Sequence, residues 1–240
     1  MEYGPAEMLV VALAREVQNG KTYFTGLASP VPVTAMKLAR ALHAPESIWI
    51  TIAGGIDPQP DPAATPSTLD QERLLKGVVS YFTLEEVFDL ACSGRIDHAF
   101  LSFIQMSKKG EINMSYVGGE YDKPKVRLPG GAGSATLTPT VKQVLIWRTA
   151  HDARSLVEEV EFCTTKGNIY KVFTPLSTFI MKDGELQLES IHPYTTLDEV
   201  KKNTGWEITQ TDVPVTSPPT EDELAALQKV DPNKIYLAEF

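Results

Sequence analysis

The sequence has few cysteines and no block of basic residues, and each shortage excludes a class of protein. Cys92 and Cys163, the two cysteines in 240 residues, lie far apart and outside C-x-x-C or any other metal-ligand spacing. A zinc site would lack its usual ligands, and we predict two buried free thiols. No cluster of five or more basic residues occurs, and the formal charge is −9 at pH 7. Because duplex affinity depends on Lys and Arg neutralising phosphates, we exclude nucleic acid as a partner.

Long hydrophobic runs are also lacking near the start of the chain. Residues 8–14 are apolar, but Arg15 and Glu16 follow at once and no basic region precedes them. This pattern fits neither a signal peptide nor a membrane-spanning helix. We therefore expect a cytoplasmic protein with no membrane partner.

The chain does have enough apolar residues, 42% of the total, to fill a core without disulfides or metals. Helical periodicity alternates with β-branched and aromatic strand patterns along the sequence, which predicts an α/β fold with a mostly parallel sheet. The predicted helices cover residues 5–19 and 31–42, and the predicted strands cover 21–25, 47–52, 78–82, 98–105 and 144–147.

Capping and turn motifs indicate where some of these helices and strands begin and end. Thr83-x-x-Glu86 and Thr220-x-x-Glu223 have the spacing of capping boxes that open helices. Asp183-Gly184 predicts a hairpin turn, and four prolines within residues 57–66 predict a loop there. No linker separates two parts of the chain, so we expect a single domain over residues 1–240.

The most specific local feature is the glycine-rich segment Gly130-Gly131-Ala132-Gly133. Glycines allow positive φ and close approach of a ligand to the main chain, so successive N–H groups could converge on an oxyanion. A tight turn that enters a helix or strand is the simpler interpretation of glycines alone. The segment completes neither the P-loop nor the dinucleotide fingerprint, so a nucleotide-binding fold is not supported.

A second candidate site follows the predicted strand 47–52. Ligands of open α/β sheets bind beyond the carboxyl ends of strands, so Ile52, Ala53, Gly54 and Gly55 are candidate pocket residues. A Gly-Gly pair is also an ordinary way to leave a strand. No Asp, Glu, Cys, Ser or His occurs in residues 49–56, so we predict no strong nucleophile there.

The four histidines form neither an H-E-x-x-H motif nor an i,i+4 pair. We interpret each as structural. His151 and His192 are the two candidates to test as an acid or base, since histidine titrates near neutral pH.

Several segments together resemble the β subunit of the glutaconate-type family I CoA-transferases. The resemblance covers nearly the whole chain, and the ordered set is specific although each piece is short. The matching segments are Leu38-Ala-Arg40, His43-Ala-Pro45, Ile50 to Asp57, Gly94-Arg-Ile-Asp97, Gly110-Glu-Ile-Asn113, Asp122-Lys-Pro-Lys125, Gly130-Gly-Ala-Gly133, Ser190-Ile-His-Pro193, Thr204-Gly-Trp206, Pro219 to Leu224 and Val230-Asp-Pro232.

The resemblance implies an open twisted, mostly parallel sheet flanked by helices, and an α subunit of similar build as partner in a heterodimer or heterotetramer. It implies an acyl-CoA substrate, with coenzyme A entering as part of the substrate and no permanently bound cofactor. The N–H groups of Gly130, Gly131 and Ala132 would then act as oxyanion donors to the thioester.

Coenzyme A carries phosphates, so an acidic chain needs a local basic patch to hold it. Lys123, Lys125 and Arg127 are the candidates for this patch. Ordinary surface lysines are the alternative interpretation of these residues.

In the family a glutamate of this subunit attacks the thioester, and the resemblance puts Ile52 at that position. An isoleucine cannot form an acyl anhydride, and Glu46 and Asp57 are six and five residues away along a chain that rises about 3.3 Å per residue. The chain thus resembles a branch without the glutamate, similar to the methylglutaconyl-CoA decarboxylase small subunit. A related branch hydrolyses a ring carbonyl of a steroid-derived CoA thioester with an acid from its α subunit.

We therefore expect non-covalent decarboxylation or hydrolysis of a glutaconyl-CoA-type substrate. Loss of CO2 from a vinylogous position needs oriented N–H donors and an apolar pocket, but no nucleophile. The alternatives are true CoA transfer between carboxylic acids and a non-catalytic subunit that supports an active α subunit.

Overall fold

A computed structural model describes residues 2–26, 29–60 and 71–240. Its contacts divide the chain into two compact units. The first unit holds the residues up to Phe100 together with Pro218–Phe240, and the second holds Leu101–Ser217. The single domain over residues 1–240 stays a prediction.

The described helices lie in both units. In the part of the chain that is described, no helix has the length and apolar character needed to cross a bilayer. The helices are α1 (Pro5–Arg15), α2 (Pro30–Leu42), α3 (Gln71–Leu74), α4 (Leu84–Cys92), α5 (Ser134–Thr140), α6 (Leu197–Asn203) and α7 (Glu221–Val230), followed by a 3₁₀-helix (Ile235–Glu239).

The strands are short, and the longer ones are largely buried. They are β1 (Thr22–Thr25), β2 (Ile48–Thr51), β3 (Gly55–Ile56), β4 (Ser80–Tyr81), β5 (His98–Ser102), β6 (Gln105–Ser107), β7 (Ile112–Asn113), β8 (Tyr116–Gly119), β9 (Pro124–Arg127), β10 (Gln143–Trp147), β11 (Leu156–Val157), β12 (Ile169–Phe173), β13 (Ser177–Lys182) and β14 (Glu185–Ile191).

In the first unit, β1 pairs in parallel with both β2 and β5. β3 and β4 then continue from β2 as short antiparallel strands. Helix α2 packs against α1, α7 and the 3₁₀-helix, and its buried face carries apolar residues at helical spacing. Three of the four residues in β1 and in β2 are buried, and four of the five in β5, as expected for parallel strands that are covered on both faces.

In the second unit, β10 pairs in parallel with β12, and β13 and β14 add antiparallel strands. Asp183 and Gly184 join β13 to β14 with φ of 55° and 81°, the backbone of a two-residue hairpin turn. A second small sheet contains β6, β7 and β11, and β8 and β9 form a separate hairpin.

The α/β class and the mostly parallel sheet flanked by helices are confirmed, with antiparallel strands added to the parallel ones, while some element bounds differ from the predictions. The helix predicted over residues 5–19 ends at Arg15, and the strand predicted over 78–82 is reduced to an exposed pair, Ser80–Tyr81. Both capping boxes form as predicted. Of the proline-rich stretch 57–66, residues 61–66 lie outside the described residues.

The prediction of buried thiols is wrong, because both cysteines are exposed in this chain. Cys92 is the last residue of α4, a helix that buries only Val87 and Ala91. Cys163 lies in a loop, where its thiol donates to the Thr165 carbonyl at 3.4 Å. Partial burial of the sulfur still raises the pKa of the Cys163 thiol.

Candidate active site

The candidate pocket residues form the turn that joins β2 to β3. Thr51 lies opposite Gly55, so Ile52, Ala53 and Gly54 make up the three-residue connection. The Ile52 N–H donates to the Thr25 carbonyl at 3.0 Å, which places Ile52 beside the carboxyl end of β1 as well as β2. The predicted position at the carboxyl ends of parallel strands is therefore the one observed.

Gly55 has a packing role in this turn. A Cβ on Gly55 would lie 2.4 Å from Val78 Cγ1 and 2.8 Å from Leu75 Cδ2. These side chains already fill the space beside the backbone, so Gly55 does not present an open wall to a ligand. Ile52 is partly exposed and Ala53 is buried, so Ile52 is the side chain of this turn that a ligand can reach.

The nearest carboxylate along the chain is held away from the turn. Asp57 Oδ1 accepts the Trp49 N–H at 2.8 Å and lies 3.3 Å from a guanidinium nitrogen of Arg40. Trp49 is near the start of β2, about 10 Å before Ile52 at the usual rise of a strand. Glu46 precedes β2 altogether. Neither carboxylate can stand in for a nucleophile at Ile52.

The glycine-rich segment lies in the second unit, between β9 and α5. Ala132 has φ of 41°, in the left-handed region, and Gly133 has right-handed φ and ψ of −65° and −20°. When one residue has a left-handed backbone conformation and the next a right-handed one, their N–H groups point to the same side and form an anion-binding concavity. Among the described residues, no acceptor takes the N–H groups of Gly131, Ala132 or Gly133.

Gly130 differs from the other predicted donors. Its N–H donates to the Met114 carbonyl at 2.7 Å, and the nearby Leu128 N–H donates to the Ser115 carbonyl at 3.0 Å. Gly130 thus anchors the segment instead of offering a donor, which corrects that part of the prediction. The Gly133 N–H is also without an acceptor among the described residues, which sequence reasoning missed because hydrogen bonds between residues distant in the chain decide which N–H groups stay available.

Thr164 holds the glycine segment in place. Its Oγ1 accepts the Met114 N–H at 2.9 Å and lies 2.7 Å from Ser115 Oγ, and its own N–H donates to the Ile112 carbonyl at 2.8 Å. A Cβ on Gly131 would lie 2.9 Å from Thr164 Cγ2. No motif in the sequence pointed to Thr164, since its partners are about 50 residues earlier in the chain.

The three candidate CoA-binding cations lie on and beside the β8–β9 hairpin and are exposed. The Arg127 guanidinium donates to the Tyr121 carbonyl and lies 4.8 Å from the centroid of the Tyr121 ring. Arg127 therefore ties the hairpin together. Lys123 and Lys125 are the other two exposed cations of the patch.

The two histidines that sequence analysis singled out are structural. His151 bonds to the Thr174 and Thr204 hydroxyls at 2.7 and 3.1 Å, and His192 bonds to the Thr216 hydroxyl and the Thr174 carbonyl at 3.1 and 3.0 Å. Burial lowers the pKa of each histidine to about 4. Both rings are neutral at pH 7 and have both nitrogens engaged, so neither acts as an acid or base on a ligand.

Comparisons with known proteins point to one family. Residues 6–203 match the family described as Coenzyme A transferase. The β subunit of 3-oxoadipate CoA-transferase from Pseudomonas knackmussii is 32% identical over 250 residues, covering 95% of this chain and 94% of that protein. The crystal structure of the decarboxylase AibA/AibB matches with a TM-score of 0.90 and 30% identity over 99% of both chains. Glutaconate coenzyme A-transferase from Acidaminococcus fermentans matches with a TM-score of 0.87 at 18% identity over 98% of both chains, which shows the fold alone.

Proposed function

The chain belongs to the coenzyme A transferase family, and we propose that it is the β subunit of a heteromeric enzyme that decarboxylates or hydrolyses a glutaconyl-CoA-type thioester without a covalent enzyme intermediate. One observation carries the proposal. The turn after β2 offers an isoleucine, Ile52, where the resemblance puts the attacking glutamate, and Asp57 is engaged elsewhere.

An apolar side chain at this turn favours a reaction that releases CO2. The bond between the substrate carbon and its carboxylate breaks, and the electron pair spreads through the conjugated double bond to the thioester oxygen. A carboxylate loses its charge as CO2 leaves, and an apolar environment such as Ile52 disfavours the charged state. A proton from solvent then adds to the carbon skeleton of the substrate and restores a neutral thioester.

The glycine segment of the second unit carries main-chain donors of the kind that a developing oxyanion needs. The available N–H groups of Gly131, Ala132 and Gly133 are donors for a thioester oxygen that gains negative charge. Removing one such donor costs about 3 to 4 kcal/mol in comparable sites. Main-chain donors of this kind act without any nucleophile in the chain.

The solved decarboxylase, which matches at 30% identity over 99% of both chains, supports decarboxylation as one outcome. That decarboxylase has two components, AibA and AibB, which also supports an α partner for this chain. CoA transfer is the second candidate, since the transferase β subunit from Pseudomonas knackmussii is 32% identical over 95% of this chain. Transfer requires a carboxylate nucleophile, which the turn at Ile52 lacks.

The test is a product analysis on the complex of this chain with its α partner. Glutaconyl-CoA is supplied with and without acetate as an acceptor of the CoA group, and CO2, free acid and acetyl-CoA are measured. We expect CO2 or free acid at rates that acetate does not change. Formation of acetyl-CoA in proportion to acetate would instead establish the transferase.

A further inference from the structure

An aromatic cluster covers one side of the β8–β9 hairpin in the second unit. The rings of Tyr116, Tyr121 and Phe162 lie with centroids 5.4 to 5.9 Å apart. Tyr116 is buried at the base of the cluster, whereas Tyr121 is 59% exposed. An aromatic ring that is fixed by neighbours and still faces solvent is a ready surface for stacking a second ring.

One cation lies against this exposed ring, and two more are on the same hairpin. The Arg127 guanidinium lies 4.8 Å from the Tyr121 ring centroid, and Lys123 and Lys125 are exposed on the same hairpin. A nearby carboxylate, that of Glu161, accepts the Gly118 N–H at 2.5 Å and is held against the hairpin backbone. An aromatic surface combined with exposed cations is the chemistry that recognises a base and its phosphates.

The cluster is close along the chain to the oxyanion donors. Arg127 and Gly131 are four residues apart, so their Cα atoms are separated by at most about 14 Å. The hydrogen bonds from Leu128 and Gly130 to Ser115 and Met114 fix the connection between them. A pantetheine arm is long enough to link a thioester at the glycine segment to a base at Tyr121.

We propose that the exposed Tyr121 ring stacks the adenine base of coenzyme A, while Lys123 and Lys125 hold its phosphates. This assignment rests on the proposed function, because it places the remote end of the same acyl-CoA substrate. Arg127 is a positioning residue here, since its guanidinium is already bonded to the Tyr121 carbonyl and covers part of the ring.

An exposed aromatic cluster also suits a contact with another protein, and the α subunit is the obvious one. The cations favour the nucleotide, because phosphates complement Lys123 and Lys125 directly. The experiment below treats a subunit contact as a separate outcome.

The test compares Tyr121→Leu with Tyr121→Phe in the complex with the α subunit. Leucine keeps apolar contact with Phe162 but has no π face, whereas phenylalanine keeps the ring. Calorimetric titration with CoA and with 3′-phosphoadenosine 5′-diphosphate measures binding of the base with and without the arm. We expect Tyr121→Leu to weaken both ligands by about tenfold or more and Tyr121→Phe to bind both as the wild type does.

Three other results of this experiment would each lead to a different conclusion. Equal CoA affinity in Tyr121→Leu and wild type overturns the stacking assignment and leaves the proposed function standing. Loss of the α subunit from Tyr121→Leu in size-exclusion chromatography also overturns it, in favour of a subunit contact. A wild-type complex that binds no CoA contradicts the proposed function itself.

Discussion

At the scale of single residues, Thr164 controls several backbone groups through one hydroxyl. Thr164→Val removes the acceptor of the Met114 N–H and the partner of Ser115 Oγ, while it keeps the side-chain volume. We expect a loss of about 1 to 3 kcal/mol in the free energy of unfolding, because a partly buried N–H loses its acceptor. We also expect kcat for acyl-CoA turnover to fall at least about tenfold with little change in KM, since misplaced donors weaken the transition state more than substrate binding.

Thr164→Ser is the matched control, because it keeps Oγ and loses only a methyl group. Urea unfolding and steady-state kinetics on both variants provide the measurements. A Thr164→Val enzyme with wild-type kcat would mean that the glycine segment needs no support from this hydroxyl.

The buried histidine pair predicts how stability depends on pH. His151 and His192 have pKa values of about 4 in the folded chain, because burial disfavours the charged ring, against about 6.5 when unfolded. The unfolded chain therefore binds more protons between pH 6.5 and 4, and stability falls as pH drops through that window. Each histidine contributes at most about 3 kcal/mol to this loss.

Urea unfolding followed by circular dichroism at pH 5.5, 6.5 and 7.5 tests this expectation. The double variant His151→Gln with His192→Gln keeps hydrogen-bonding groups but cannot titrate in this range. We expect a clear loss of stability at pH 5.5 in the wild type and a flatter profile in the double variant. If the wild type and the double variant lost stability equally as the pH falls, groups other than these two histidines would cause the pH dependence.

At the scale of elements, two helices open with the same capping box but differ in one contact. On α4, Glu86 accepts the Thr83 N–H at 2.7 Å, and on α7 Glu223 accepts the Thr220 N–H at 2.7 Å. Glu223 also pairs with Arg15 of α1 at 2.7 Å, with both side chains less than one-third exposed. The comparison isolates the contribution of an ion pair that links two helices of the first unit.

We expect Glu86→Ala to cost about 0.5 to 1 kcal/mol of unfolding free energy and Glu223→Ala to cost about 1 kcal/mol more. Glu223→Gln, which keeps an acceptor for the cap, should fall between them. Chemical denaturation of the three variants at equal pH and salt gives the differences. Equal losses from Glu86→Ala and Glu223→Ala would show that the Arg15 pair adds nothing.

The elements that sequence reasoning found are those with a local cause. The capping boxes and the Asp183-Gly184 turn formed as predicted because a few adjacent residues determine their geometry. The strand predicted over 78–82 shrank to Ser80–Tyr81, and the cysteines proved exposed, because burial depends on which elements pack nearby. Apolar residue types alone do not contain that information.

At the scale of the whole molecule, the candidate site was only partly readable from the sequence. Ile52 and the glycine segment can be recognised in the sequence because their residue types alone predict their properties: an isoleucine cannot act as a nucleophile, and glycines permit positive φ. The role of Thr164, the engagement of Gly130 and the donor at Gly133 depend on partners distant along the chain. The Tyr121 cluster likewise brings together residues about 40 positions apart.

A net charge of −9 also has to be reconciled with a substrate that carries phosphates. Charges separated by more than about 10 Å are largely screened at physiological salt, so local cations decide the interaction. On the β8–β9 hairpin, the three exposed cations Lys123, Lys125 and Arg127 outnumber the two exposed carboxylates, Glu120 and Asp122, so the hairpin carries a local positive charge within an acidic chain.

An attacking carboxylate on this chain would form a covalent intermediate with the substrate, and chemical trapping reveals whether such an intermediate exists. The complex with its α subunit is mixed with glutaconyl-CoA, quenched during turnover with hydroxylamine or borohydride, and this chain is weighed by intact mass spectrometry. Glutaconate CoA-transferase treated in parallel is the positive control. We expect product to have formed with the mass of this chain unchanged, whereas a CoA adduct or a modified Asp or Glu on this chain would show that it does carry the nucleophile.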